Sequence, residues 1–167
     1  AGFQYKEDAE RYYALLKERL KKFNLELEES KSRMIEFGKY AEINSKRKYG
    51  RKAETFNFLG FTLYCGKSRH SGEFCVKLKT NSKKFTQKLK QTKEWLYQNN
   101  DLSVKDLITR LNKKLVGHYR YYGVSHNMNK LSSFLHYVQR YLFKVLNRRS
   151  HKKSYLWNGY IDMLKVY

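Results

Sequence analysis

The stretch LSVKDLITRLNKKL, residues 102–115, decides how the C-terminal part of the chain folds. Ser103 and Asp106 stand at the N-cap and N3 positions of a helix start, where side-chain oxygens satisfy free backbone N–H groups. The apolar residues that follow recur every three or four positions, as on one face of a helix. They are Leu107, Ile108, Leu111 and Leu115. The stretch therefore predicts an amphipathic helix with one buried face.

Similar apolar stripes on either side of this stretch predict two more long helices. The first begins near Ser82, ends at residues 99–101 and carries Phe85, Leu89, Thr92 and Leu96. The second, at about 129–147, carries Leu131, Phe134, Leu135, Val138, Tyr141, Leu142 and Val145. Residues 82–147 therefore predict a three-helix bundle. A short final helix is predicted to hold Trp157, Tyr160, Ile161 and Leu164.

Alternating patterns upstream of the helices predict β-structure. Residues 56–64 and 73–79 predict two strands joined by residues 66–72. In the second strand, Phe74, Val76 and Leu78 are predicted on one face and Cys75, Lys77 and Lys79 on the other. The basic, Gly-containing residues 44–53 predict a loop.

The first 43 residues predict part of an α/β layer. A helical stripe covers residues 7–23, and short alternating runs at 25–27 and 34–37 predict two strands that cannot close a sheet alone. The predicted fold class is α+β: a partial α/β layer and a β-hairpin, followed by a three-helix bundle with a short C-terminal helix. The predicted segments are 1–43, 44–81 and 82–167.

The charge of the chain is unevenly distributed. Residues 1–43 hold nine basic and nine acidic side chains, so the whole net charge of +21 lies in residues 44–167. Such a field attracts polyphosphates. No apolar run approaches the roughly 18 residues that a membrane span needs, and no signal peptide is visible. These features predict a cytoplasmic protein with a polyanionic partner and no membrane partner.

The residues of the chain predict neither a metal site nor a catalytic site. The five His form no ligand pattern, and the two cysteines, Cys65 and Cys75, are expected to be reduced packing thiols, although they could face each other across a hairpin. The six acids after residue 43 are scattered, whereas a two-metal polymerase needs closely spaced carboxylates. We therefore expect no cofactor and no phosphoryl transfer from these residues alone.

Several basic clusters are candidate phosphate contacts. They are Lys77 and Lys79 in the second strand; Lys83, Lys84, Lys88 and Lys90 in the first bundle helix; Lys113 and Lys114 in the second; and Arg148, Arg149, Lys152 and Lys153 before the last helix. Arg120 and Tyr121, within the aromatic run 117–123, could pair with phosphate and stack on a base. The alternative for each is a solvated or core side chain.

The roles of two further residues, Gly60 and Lys31, are ambiguous from the residues alone. Gly60 interrupts the predicted strand 56–64, where a packed β-bulge is the favoured interpretation and a close approach of another group to its backbone is the alternative. Lys31 lies in the turn at 28–32, where a solvated lysine is favoured. The alternative is a lysine that stabilises a leaving phosphate.

Several runs, taken in order, resemble a known family. They are AGFQYKEDAE at 1–10, LEL at 25–27 with Lys31, FNFLGFT at 56–62, LN at 111–112, GHYRYYG at 117–123 and LNRRS at 146–150, followed by KKSY at 152–155 and Trp157. Together they resemble the C-terminal palm and the thumb, or X domain, of bacterial group II intron reverse transcriptases (maturases). The resemblance extends over essentially the whole chain.

The resemblance assigns expected roles to these residues. Lys31 matches the lysine of motif D, near the departing pyrophosphate, and Phe58, Leu59, Gly60 and Phe61 match the primer grip. Residues 82–167 match the thumb, whose partners are the RNA–DNA template–primer duplex and intron RNA. The family's magnesium-binding aspartates lie just upstream of a segment like Ala1–Gln4, which implies a fragment that binds but does not catalyse. Val116 departs from the family, which often has arginine there.

Two alternatives to this assignment remain open at this point. The chain could be a stand-alone RNA-binding or splicing module with no polymerase role. It could instead bind anionic surfaces such as heparin without any nucleic-acid role. For residues 1–43 the expected partner is the family's N-terminal fingers and palm half, or a second copy that pairs through an exposed sheet face.

Overall fold

The computed structural model describes residues 1–149 and 154–166. The chain divides into two compact units, Ala1–Glu54 and Thr55–Tyr167. The β-hairpin predicted from residues 56–79 thus belongs to the same unit as the C-terminal helices. The described residues are α+β, with six α-helices and one three-stranded antiparallel sheet.

The first unit contains two helices, α1 (Lys6–Lys21) and α2 (Ala41–Tyr49). Helix α1 was predicted from its apolar stripe. It has acidic residues in its first turn and basic residues in its last, which complements the helix dipole. Lys17 on α1 donates to Glu29 Oε1 at 2.5 Å, and this contact ties the turn that contains Lys31 to the helix.

The strands predicted at 25–27 and 34–37 are wrong, since neither segment is a strand in the structure. Alternating apolar residues form a strand only where a neighbouring strand takes up the backbone hydrogen bonds. Side chains of α2 contact the second segment instead. Asn44 donates to the Glu36 carboxylate, and Lys48 lies 3.6 Å from the other oxygen of that carboxylate.

Helix α2 replaces most of the loop predicted at 44–53. Glu42 lies in its first turn and Lys46, Arg47 and Lys48 lie in its last, so the charges again follow the dipole. Gly50 ends the helix with φ of 63°, the left-handed conformation that glycine adopts without steric cost. The basic run therefore belongs to a helix terminus.

The sheet of the second unit has three strands, β1 (Phe56–Phe58), β2 (Phe61–Lys67) and β3 (Phe74–Thr80), in the order β1-β2-β3. The single strand predicted at 56–64 is thus wrong, because a turn at Leu59 and Gly60 splits it. The register pairs Cys65 with Val76 and Gly66 with Cys75. The two cysteines therefore lie on opposite faces of the sheet, which excludes a disulfide between them.

The helices of the second unit confirm the predicted three-helix bundle. They are α3 (Ser82–Gln98), α4 (Val104–Tyr122), α5 (Met128–Asn147) and α6 (Trp157–Val166), with a 3-10 turn at Ser125–Asn127. Ser103 caps α4 as predicted, since its hydroxyl accepts the Asp106 N–H at 3.1 Å. Asn81 caps α3, and its side chain accepts the N–H groups of Lys83 and Lys84.

The predicted apolar stripes form one core between α3, α4 and α5, closed by α6. Its most buried members include Leu96, Leu107, Phe134, Val138, Leu142, Val145 and Tyr160. Each buried side chain of this size contributes about 1.5–3 kcal/mol. The Tyr160 hydroxyl donates to the Gln139 carbonyl at 2.8 Å, so the polar end of this ring is also satisfied. This core determines which side of each helix is buried and therefore which side faces outward.

Candidate nucleic-acid interface

Leu59 and Gly60 form the two-residue turn between β1 and β2. Their φ angles are 45° and 77°, and two successive positive φ values define the type I′ turn that suits the twist of a hairpin. The bulge favoured from the sequence is therefore wrong. Phe58 and Phe61 pair across the turn, and the Phe58 and Leu59 side chains at the tip are about 60% and 66% exposed.

The tip of this hairpin packs against the C-terminal end of α4. The Tyr121 hydroxyl donates to the Leu59 carbonyl at 2.8 Å. The Tyr121 ring stacks on Phe61 with centroids 5.9 Å apart, and the Tyr122 ring meets Phe61 edge-on at 5.2 Å. Two motifs that were predicted separately, 58–61 and 117–123, are thus parts of one site.

Gly60 is required at this contact for a second reason. A Cβ at this position would lie 2.9 Å from the Tyr122 hydroxyl oxygen, which is closer than real Cβ contacts. The close approach that the sequence left as the alternative is therefore an approach of α4 to the hairpin.

Asn127, a buried residue that was not predicted to have a role, holds the C-terminal end of β3. Asn127 is 1% exposed, accepts the Thr80 N–H at 2.7 Å, and donates to Thr80 Oγ1 at 2.7 Å and to the Tyr122 carbonyl at 2.9 Å. It therefore joins β3, the end of α4 and the 3-10 turn. No local pattern signals this role, because Thr80 is 47 positions away.

Asn81 fixes the hairpin to the start of α3. Its N–H donates to the Gly60 carbonyl at 2.9 Å, and its side-chain amide donates to Asn57 Oδ1 at 2.8 Å. Asn57 also accepts the Thr62 hydroxyl at 2.6 Å. The hairpin turn is thus held by both α3 and α4, and its exposed apolar tip is rigidly placed.

The lysines of α3 divide between two flanks of the helix. Lys84 and Lys88 are one turn apart and lie on the side of Trp95, which faces α4. Lys83 and Lys90 lie about a third of a turn away by helical geometry. Lys90 also forms a 3.9 Å ion pair with Glu94. The predicted lysine cluster is therefore two separate exposed rows.

The outward face of α4 forms a shallow groove opposite its buried stripe. It is lined by Thr109, Asn112, Lys113, Val116, Gly117 and Arg120. Lys113 and Arg120 are exposed, and Gly117 between them has no described atom, apart from its chain neighbours and the backbone of its own helix, within 4 Å of where a Cβ would stand. Internal packing thus does not require this helix glycine. It leaves the α4 backbone open between two cations.

One face of the sheet carries a smaller basic strip. Lys77 pairs with Tyr64 across β2 and β3, and Lys79 Nζ lies 5.1 Å from the centre of the Tyr64 ring. The predicted alternation of β3 is confirmed, because the register places Lys77 and Lys79 on the face opposite Val76 and Leu78.

The basic segment after α5 is only partly described. Arg149 donates through Nη1 to the Leu102 carbonyl at 2.8 Å and through Nε to Asn100 Oδ1 at 3.1 Å, so its guanidinium holds the α3–α4 connection. Arg148 is exposed and stacks over Tyr97, with its guanidinium carbon 5.5 Å from the ring centre. Lys152 and Lys153 lie outside the described residues.

Lys31 lies in the first unit, in the turn after α1. Its side chain is exposed and its N–H donates to the Glu28 carbonyl at 3.1 Å. Lys31 is therefore a solvated lysine in a turn. The motif D role implied by the resemblance stays a prediction.

His118 is a buried histidine near the C-terminal end of α4. It is 6% exposed, and burial, together with the positive charge of Lys88, lowers its pKa to about 4. Phe134 stacks on its ring with centroids 4.0 Å apart, and Tyr122 packs beside it at 4.8 Å. His118 is therefore a neutral core residue at neutral pH.

The described residues, 1–149 and 154–166, contain no group of three or more His, Cys, Asp or Glu side chains that could hold a metal ion. No helix in the same ranges is long and apolar enough to cross a membrane.

Residues 82–160, from the start of α3 into α6, match the family model of the group II intron, maturase-specific domain. No curated protein and no solved structure matches the chain. Residues 82–160 are thus similar to the group II intron maturase-specific domain, which supports the predicted resemblance to the C-terminal region of a group II intron maturase. The match does not extend to residues 1–81, whose likeness to the palm and the primer grip stays a prediction.

Proposed function

We propose that this chain is an RNA-binding clamp of a group II intron maturase, which holds intron RNA and the template–primer duplex through its second unit. One observation carries the proposal: exposed cations on α3 and α4 that form no ion pair within residues 1–149 and 154–166 flank an aromatic site where the hairpin tip is fixed to the end of α4. Residues 55–167 contain 22 Lys and Arg and only 5 Asp and Glu, so the whole unit attracts a polyanion.

The proposed phosphate contacts are Lys84 and Lys88 on α3 and Lys113 and Arg120 on α4. All four side chains are exposed, and none forms an ion pair with another described residue. The open backbone at Gly117 allows a phosphate strand to come close to α4 between Lys113 and Arg120. A-form duplexes present a wide, shallow minor groove that is recognised by shape and by backbone contacts, which suits such a helix face.

The hairpin tip is the proposed contact for the end of a primer. Phe58 and Leu59 expose apolar side chains, while the backbone beneath them is held by Tyr121 and Asn81. A rigid apolar tip places a strand end without pairing with bases. In this proposal the chain binds and positions the template–primer duplex and intron RNA.

Competition binding with the 167-residue chain tests the proposal against its alternatives. Affinities for an RNA–DNA hybrid, duplex RNA, duplex DNA of the same sequence and heparin are measured at one salt concentration. We expect the two A-form duplexes to bind more tightly than duplex DNA and heparin. Equal affinity for all four would instead support the general polyanion binder.

A second comparison separates the clamp from a stand-alone splicing module. A recessed RNA–DNA template–primer is compared with a blunt hybrid of equal length, because only the former presents a primer end beside a single strand. We expect tighter binding of the recessed substrate and loss of that difference in Phe58→Ser/Leu59→Ser. An unchanged preference in this variant would remove the primer contact from the proposal.

A further inference from the structure

A half-enclosed cavity of about 200 Å³ lies between α3 and α4, above the core. Trp95 from α3, His118 from α4 and Phe134 from α5 supply its aromatic walls, and Lys88 and Lys114 lie at its rim. No local sequence pattern predicts this cavity, because its lining comes from three helices.

His118 offers the cavity an unsatisfied polar edge. Phe134 and Tyr122 pack on its ring, so the edge of the imidazole is the part left to line the cavity. No hydrogen bond joins its nitrogens to any residue among 1–149 and 154–166, and neither nitrogen is fully enclosed, so both remain accessible to a ligand. A neutral imidazole carries one donor and one acceptor, which such a ligand could use.

The rim of the cavity is positively charged. Lys114 Nζ lies 4.8 Å from the centre of the Trp95 ring, and Lys88 is close enough to His118 to oppose its protonation. Neither lysine forms an ion pair with a described residue. Two cations beside an aromatic, polar-edged cavity suit a planar ring that is attached to phosphates.

We infer that this cavity receives a single unpaired RNA base, whose flanking phosphates contact Lys88 and Lys114. The inference rests on the proposed RNA-binding function and adds a specific subsite to it. The volume is below the about 300–1,000 Å³ of pockets for drug-sized ligands, so it has room for one ring system. Trp95 provides an aromatic wall that a base can contact and His118 a hydrogen-bonding edge, and aromatic contact and hydrogen bonding are the means by which proteins read unpaired RNA bases.

Trp95 itself reports occupancy of the cavity. The chain has two tryptophans, so Trp157→Phe leaves Trp95 as the only one. This variant is titrated with an RNA hairpin that carries one bulged adenosine, with the same hairpin lacking the bulge, and with the bulged hairpin made abasic at that position. We expect the bulged hairpin alone to quench Trp95 emission and to bind about tenfold more tightly than the other two.

Two variants with the same change in charge test whether the preference for the bulge arises at the cavity. Gln91 lines the cavity, whereas Gln98 is exposed two turns further along α3 and does not line it. Gln91→Glu and Gln98→Glu are each expected to weaken binding of the paired hairpin slightly and to a similar extent. Gln91→Glu alone is expected to abolish the preference for the bulge, because its carboxylate repels the flanking phosphates.

The outcomes of these titrations test the base-binding cavity separately from the proposed RNA-binding function. Tight binding of all three hairpins with equal affinity and unchanged Trp95 emission would overturn the inference and leave the RNA clamp standing. An equal loss of preference in Gln91→Glu and Gln98→Glu would also overturn it. Failure of every hairpin to bind would overturn both proposals.

Discussion

At the scale of single residues, replacing Gly117 is expected to change the stability of the fold and its affinity for RNA in opposite directions. A glycine inside a helix costs about 1 kcal/mol relative to alanine, and no described atom, apart from its chain neighbours and the backbone of its own helix, lies within 4 Å of a Cβ at this position. Gly117→Ala is therefore expected to raise the free energy of unfolding by about 1 kcal/mol. It is also expected to weaken duplex RNA binding, because the methyl group fills the groove between Lys113 and Arg120.

Gly159→Ala is the matched control for this prediction. Gly159 lies in α6 and, with the same exceptions, also has no described atom within 4 Å of a Cβ. Denaturant unfolding should show a similar gain in stability for both variants, and only Gly117→Ala should lose RNA affinity. Equal RNA affinity of the two variants would show that nucleic acid does not approach α4 there.

His118 predicts a pH dependence of stability. Its pKa is about 4 in the folded chain and about 6.5 when unfolded, so below pH 6.5 the unfolded state binds a proton that the folded state does not. The free energy of unfolding should therefore fall as the pH drops from 6.5 to 4, by about 3 kcal/mol in total. Above pH 6.5 this contribution is constant.

The measurement compares the original chain with His118→Phe, which keeps a ring against Phe134. Lys88, Tyr119 and Tyr122 are charged or titratable groups beside His118, and burial raises the pKa of both tyrosines, away from the range in which His118 titrates. Denaturant unfolding followed by circular dichroism should show a steeper loss of stability in the original chain over this range. Parallel pH profiles of the two proteins would contradict the assignment.

At the scale of elements, the hairpin turn and the end of α4 are expected to depend on each other. Gly60→Ala combines a positive φ with a Cβ 2.9 Å from the Tyr122 hydroxyl, whereas Gly72→Ala has a positive φ in open space. We expect Gly72→Ala to lose about 1 kcal/mol of stability and Gly60→Ala to lose at least about 1 kcal/mol more. Adding Tyr122→Phe to Gly60→Ala should restore part of the loss, because it removes the contacting oxygen. Equal losses at the two glycines, with no rescue, would contradict the contact.

The sequence predicted the helices better than the segments between them. Caps such as Ser103 and stripes such as Leu107–Leu115 are local, and the core confirms them. The turn at Leu59 and Gly60 was missed because Leu-Gly is not the Asn-Gly or Asp-Gly pair that normally signals a type I′ turn. The strand predicted at 25–27 depended on a partner strand, which no local pattern reports.

The candidate site was predicted in composition but not in arrangement. Its aromatic and basic residues are visible in the sequence, yet the contact between Tyr121 and Leu59 joins positions 62 apart. Lys88 and Lys90 lie on different flanks of α3. Which flank faces α4 depends on how α3 packs on the core, and this packing is not visible in the sequence. Asn127 and the cavity beside His118 depend on side chains from several elements, so no spacing rule finds them.

At the scale of the whole molecule, the charge is the most testable property. Each phosphate that a cation neutralises releases condensed counterions, so log Kobs falls with log salt with a slope of about −0.7 to −0.9 per contact. A specific face should therefore contribute to this slope more than an equal number of cations elsewhere on the second unit. This distinguishes a clamp from a diffuse basic surface.

The most direct test is the salt dependence of duplex RNA binding in two variants of equal net charge. One replaces Lys84, Lys88, Lys113 and Arg120 by Gln, and the other replaces the exposed Lys67, Arg140, Lys144 and Lys165 by Gln. The clamp predicts that the first variant lowers the magnitude of the slope by about 3 and the second by less than about 1. Equal slopes in the two variants would contradict it.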